Sequence, residues 1–291
     1  MKIWGFEGVE VGKEVELSGE EKKFFRGGLE GTSSKLDVED VLKVVEIVDN
    51  TCRVKGVTCY PREDVERTFT YLLYDENTNT VTGIIFYNPQ TILTVSRKLG
   101  VDVKDLVEET IEHEVNHIEK TNRVLRECGK EYLTDESRGL ANLIVNEVYV
   151  ELKMSKNPKF REVSFKTCKN YLRELKESLH VIFSGLKRSF EQNLPKDIIK
   201  DRLRKTIMMG VHDFVEGGLA CAIHRDLRDD FIDTISKFLN VSREEVSSLL
   251  QRVEKLLEEG KLCECIDVVK DFLKKHNRNI PKVVAIKGLT L

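Results

Sequence analysis

From residue 90 onward, apolar residues recur every three or four positions, the spacing of helices that each bury one face. The pattern predicts helices at about 90–98, 103–126, 136–155, 161–192 (with Gly185 a candidate break), 196–223, 225–239, 243–259 and 261–276. Ser242-Arg243-Glu244-Glu245 has the form of a capping box, and Asn193-Leu194-Pro195 ends one helix before the next begins. Before residue 90 the pattern changes. Ile3, Trp4, Phe6, Val9, Val11, Val15 and Leu17 alternate with Gly and Glu, as in short strands, and LDVEDVLKVVEIVDN returns to helical spacing. RTFTYLLYD and TVTGIIFYNP flank the polar ENTN and predict a β-hairpin whose second strand stops at Pro89. IPKVVAIKGLTL at the end predicts a last strand. The fold class expected is α+β, a small antiparallel sheet with active-site helices followed by an all-helical region. The segments expected are 1–60, 61–156 and 157–291, with the main boundary at Pro158 in SKNPKF.

Composition narrows the function classes. Charged residues make up 33% of the 291 positions, yet the net charge is -3, so no global field favours nucleic acid or an anionic membrane. High charge with only Gln90, Gln192 and Gln251 as glutamines suggests a thermophile, archaeal source. The seven cysteines are an odd number without a tight framework, which suits small buried hydrophobes in a reducing cytoplasm. Cys263-Glu264-Cys265 lacks a second pair at zinc spacing, and Cys52 and Cys59 stand too far apart for a zinc knuckle. MKIWGFEGVEVGKEVE has no apolar leader core, and no apolar run approaches the roughly 18 residues needed to span a bilayer. A soluble, cytoplasmic protein is expected, with oligomeric state left open.

The chemistry concentrates in TIEHEVNHIEK, where two of the six histidines, His113 and His117, lie four apart with Glu114 after the first. On a helix, that spacing stacks both imidazoles on one face with Glu114 beside them. Leu106, Thr110, His113 and His117 form one stripe, and Val107, Ile111, Glu114 and Ile118 the adjoining one. Asp105, Glu109, Glu112, Asn116 and Glu119 are expected on the solvated side. The His-Glu-His set thus falls on the apolar face, where polar groups without partners are costly. A catalytic zinc needs a third protein ligand and an open fourth position. Leu140, Ile144, Glu147, Glu151 and Met154 share a face of the next long helix, which makes Glu147 the candidate third ligand. Glu151 is then a candidate to hold a metal-bound histidine by its free nitrogen. The plainer alternative is two solvated glutamates on a surface helix.

These residues resemble the zincin metallopeptidases in their glutamate-ligand branch, the gluzincins, of which thermolysin is the familiar member. Thr110, Ile111, Val115, Asn116 and Ile118 fit that family's extended signature, and Glu119 departs from it at the final hydrophobic position. Asn146-Glu147 followed by Glu151 is similar to the family's second-helix motif, with Glu in place of Asp. The resemblance covers about residues 67 to 155. It implies Zn²⁺ on His113, His117 and Glu147, Glu114 as general base, a peptide or protein substrate, and VTGIIFYNP as the strand edge over the site. It also implies a later His or Tyr that steadies the reaction intermediate. His212 is preferred, His224 is the other histidine nearby, and Tyr149 is a donor more suited to packing.

Two other classes stay open. Glu114-x-x-His117, Glu147 and Glu177-x-x-His180 supply three of the four elements of a ferritin-like di-iron bundle, but the hairpin falls where the first helix should be, and His113 has no purpose in it. A non-catalytic zincin-like binding protein is the third class, against which the intact Glu114 speaks.

Overall fold

The computed structural model describes residues 2–3, 38–65, 68–191 and 215–276, apart from the side chains of 134, 136–137 and 178–191. The elements in chain order are β1 (Lys2–Ile3), α1 (Val38–Lys55), β2 (Thr58–Pro61), β3 (Phe69–Asp75), β4 (Thr80–Tyr87), α2 (Pro89–Leu99) and α3 (Val103–Glu127). They continue as α4 (Glu131–Thr134), α5 (Glu136–Lys156), α6 (Arg161–Glu191), α7 (Gly218–Cys221), α8 (Arg228–Leu239), α9 (Arg243–Glu258) and α10 (Leu262–His276). By contacts the chain divides into two compact units, Met1–Glu114 and Val115–Leu291, and α3 runs unbroken through the division. Among the described residues no helix is long and apolar enough to cross a membrane.

In the first unit, α1 buries Val44, Val48 and Cys52, one residue per turn along a single stripe. The expected hairpin forms in register from Phe69↔Phe86 to Asp75↔Thr80. Its ENTN turn is held by the Asp75 carboxylate, which accepts from the Asn77 N–H at 2.9 Å, and by Tyr74 Oη donating to Asn79 Oδ1 at 2.9 Å. Asn79 takes the left-handed conformation (φ 50) that closes the turn, one asparagine tolerates better than most residues. The sheet, however, is mixed rather than antiparallel. β2 pairs parallel with β4, and the strand order is β1-β3-β4-β2. At four residues β2 is too short to show an alternating pattern, and a Cys52–Cys59 disulfide ties it to the end of α1. The Asn88 side chain caps α2 by accepting from the N–H groups of Gln90 (2.9 Å) and Thr91 (3.3 Å), with Pro89 at the first helical position.

The second unit is helical, as the periodicity predicts, and its core joins Val124, Ile144, Val148, Leu219, Phe231, Ile235, Leu250, Val253 and Ile266. The capping box at Ser242 and Glu245 starts α9, and α6 continues through Gly185 without the break expected there. The turn at 157–160 joins α5 to α6. α7 lies close to α6 because Gly217 faces Tyr171: a Cβ there would stand 2.5 Å from the Tyr171 hydroxyl. The rest of the helix expected over 196–223, the strands of 4–20 and the strand of the tail lie outside the described residues.

Cysteine usage differs from the expectation. Six of the seven pair as Cys52–Cys59, Cys128–Cys263 and Cys168–Cys221, and Cys265 is a buried free thiol. Pairing cannot be read from spacing alone. Disulfides persist in oxidising compartments and in the interiors of hyperthermophiles, so the cysteine argument for a reducing cytoplasm is lost.

Candidate metal centre

His113 and His117 sit on successive turns of α3, so their spacing is the helix's own and independent of how the two units lie. One ligand atom each from His113, His117 and Glu147 fall within 4.8 Å of one another. His117 Nε2 is 3.3 Å from Glu147 Oε1, and the Glu147 side chain keeps 27% of its exposure. Two imidazole nitrogens and one carboxylate oxygen, partly open, are donors able to hold a divalent metal such as zinc and leave a position for water or substrate. The residues present fit the metal.

Glu114 is buried, and Thr70 Oγ1 on β3 donates to its Oε2 at 2.7 Å. That bond orients the carboxylate. Thr70 is a residue the sequence pattern did not single out, since a threonine in a strand is ordinary. The strand expected over the site is an edge only in part: β3 pairs with β4 along 80–86, while β2 covers its other side only at 84–87, so among the described residues 80–83 stay unpaired on that side. β3 likewise has no partner at 69–72 on its β1 side among the described residues, because β1 covers only Leu73 and Tyr74, and β2 is an outer strand of the sheet.

The side of α3 expected to be solvated is partly covered. Asp105 and Glu119 are exposed, but Glu109 and Asn116 are buried and Glu112 pairs with Lys55. Asn116 accepts from Lys153 Nζ at 3.0 Å, and its amide approaches Met154 Sδ at 3.7 Å. Burial on both flanks masks the amphipathic division that the charges imply.

Behind the cluster, Lys120 is fully buried, and its Nζ donates to the Asn142 carbonyl at 3.1 Å and to the Asn142 side-chain oxygen. Burial brings its pKa down to about 7, against the smaller upward pulls of Cys265 and Glu147. Burial likewise drives the Cys265 thiol up to about 12, with Lys120 opposing.

Glu151 is not where the sequence reading put it. Although it shares a helix face with Glu147, its carboxylate is 2.7 Å from His224 Nε2 and accepts from the Ser164 hydroxyl, which itself lies 3.0 Å from His224 Nε2. One turn of α5 is enough to carry it from the α3 side to the α6 side. His224 is therefore a satisfied core histidine, and Tyr149 packs, with Arg123 and Lys153 over its ring at 5.9 and 5.4 Å. His212 and the His180 side chain lie outside the described residues. Glu177, the other di-iron candidate, is exposed and lines a surface pocket with Leu227 and Asp230. No family model matches the chain, and neither a curated protein nor a solved structure matches it.

Proposed function

We propose that this chain is a zinc-dependent hydrolase acting on peptides. The observation that carries the reading is the convergence of His113, His117 and Glu147 within 4.8 Å, with Glu114 next to the first histidine. Zinc held there supplies a Lewis acid and makes water a nucleophile near neutral pH. Glu114 acts as general base, taking the water's proton on the carboxylate that Thr70 orients, and then delivers that proton to the leaving amine. The stretch of β3 at 69–72, which carries Thr70 and has no strand partner on its β1 side among the described residues, is the surface where an extended peptide adds as a strand. The Glu147 carboxylate, facing His117 Nε2, completes the donor set.

Metal analysis of the purified chain, together with hydrolysis of a pool of fluorescence-quenched peptides, tests this. One zinc per chain, lost in His113→Ala and His117→Ala, is expected alongside cleavage that chelation stops. Zinc that survives both histidine substitutions overturns the ligand set. Zinc without any cleavage makes the chain a metal-bearing binding protein instead, and two irons per chain favour the di-iron class.

A further inference from the structure

A second metal-ligating cluster lies on the other side of α5. Ligand atoms of Glu151, Cys168 and His224 stand within 4.8 Å of one another, and all three residues are buried. Cys168 is held in a disulfide with Cys221, so in this state its sulfur has no thiolate to offer. Cys221 is itself three residues before His224, within one tight turn closed by the His224 N–H donating to the Cys221 carbonyl at 3.2 Å. Cysteine thiolates, histidine nitrogen and carboxylate oxygen are all zinc donors, and a buried set of four of them suits a closed structural site.

We infer that reduction of the Cys168–Cys221 disulfide creates a closed zinc site with Cys168, Cys221, His224 and Glu151 as its four ligands. The disulfide form and the zinc form are then two alternative closures of the same core. A dithiol reductant reduces the disulfide to two thiols and is itself oxidised to a disulfide. Zn²⁺ then displaces one proton from each thiol and binds two thiolates, one imidazole nitrogen and one carboxylate oxygen. The two positive charges of Zn²⁺ offset the two thiolates its binding creates, so the metal adds no net charge to the core. Ser164, which now bonds both Glu151 and His224, becomes a neighbour able to hold either ligand. His224 also lines a surface pocket with Lys156, Arg161, Arg225 and Glu258, which gives metal and reductant a way in.

This site is independent of the one on α3, and the test uses that. The His117→Ala chain is prepared oxidised, or reduced with a dithiol that is then removed without air, and titrated with Zn²⁺ against a chromogenic chelator. The reduced chain is expected to hold one zinc more than the oxidised chain. That extra equivalent should vanish in Cys168→Ser and in His224→Ala, and survive in Cys128→Ser. Co²⁺ in place of zinc should show thiolate-to-metal charge-transfer absorption only after reduction. Equal zinc in both redox states overturns the inference, and so does an extra equivalent that persists in Cys168→Ser, which would place it on other cysteines. Should His224→Ala not fold, Glu151→Gln with a weakened extra equivalent supports the site and an unchanged one overturns it. Failure of the α3 site leaves this result readable, because His117 is absent throughout.

Discussion

Helix α5 sends one carboxylate to each of two clusters, a single turn apart, and the clusters differ in how much water reaches them. Around His117 and Glu147 the side chains keep 11% and 27% of their exposure, whereas around His224 and Glu151 they keep 6% and 7%. The first offers three candidate ligand residues and stays partly open, which suits a metal used for chemistry; the second, in the proposed reduced form, gains Cys221 as a fourth ligand, which suits a metal used to hold a fold. Donor type differs less: two histidines and a carboxylate at the open cluster, and one histidine, one carboxylate and a sulfur held in a disulfide at the closed one. The lesson is that a shared helix face does not imply a shared site, because the helices packed on each flank choose the partners.

If the open cluster does chemistry, its largest single loss should come from the base. Glu114→Gln is expected to lower kcat/KM by about 10²–10⁴ while zinc affinity stays within a few-fold, measured by peptide hydrolysis and chelator competition on one preparation. Equal damage to zinc binding would make Glu114 a ligand and remove the distinction between base and donor.

The next effect concerns Lys120, whose folded pKa is lowered to about 7 by burial. An unfolded lysine keeps its proton up to about 10.4, so between these two values the unfolded state binds more protons and stability rises with pH. The penalty is complete below pH 7 and gone above about 10.4, and the full span is on the order of 4 kcal/mol. Denaturant unfolding from pH 7 to 10 should show that rise, and Lys120→Met should flatten it. A wild-type curve already flat over this range would mean that the ammonium is paired within the core.

Glu147→Ala and Glu151→Ala sharpen the division directly. On the oxidised chain, Glu147→Ala should weaken zinc by about 100-fold or more, since it removes a donor, and Glu151→Ala should change it by no more than about two-fold. The reverse order would return Glu151 to the α3 cluster. The smallest effect is a control away from both clusters: Ser242→Ala removes the capping box of α9 and should cost about 1 kcal/mol in chemical denaturation, with zinc stoichiometry unchanged.

What the sequence made legible follows what is local. The long helices show in the 3.6-residue period, though the four-residue α4 does not; the capping box at Ser242 shows in four residues, and the hairpin in two β-rich runs around ENTN. The pairing of His113 with His117 is likewise local, because one helix sets it. Glu147 required only that α3 and α5 meet. The partners of Glu151 are 13 and 73 residues away, and no periodicity reports them. β2 was hidden by its length, and with it the mixed character of the sheet. The nearness of Cys168, Glu151 and His224 was not legible at all, because only packing brings them together.

The Cys128–Cys263 and Cys168–Cys221 bridges are nested, the second lying wholly inside the loop closed by the first. A protease cut anywhere between Cys168 and Cys221 therefore separates nothing: two covalent links still join the halves. On a non-reducing gel such a nicked chain runs as one species, and by intact mass it gains only one water. After thiol reduction it falls into two polypeptides, held together only by the packed core. A molecule wired this way tolerates backbone damage while oxidised and becomes vulnerable to the same damage once its disulfides open.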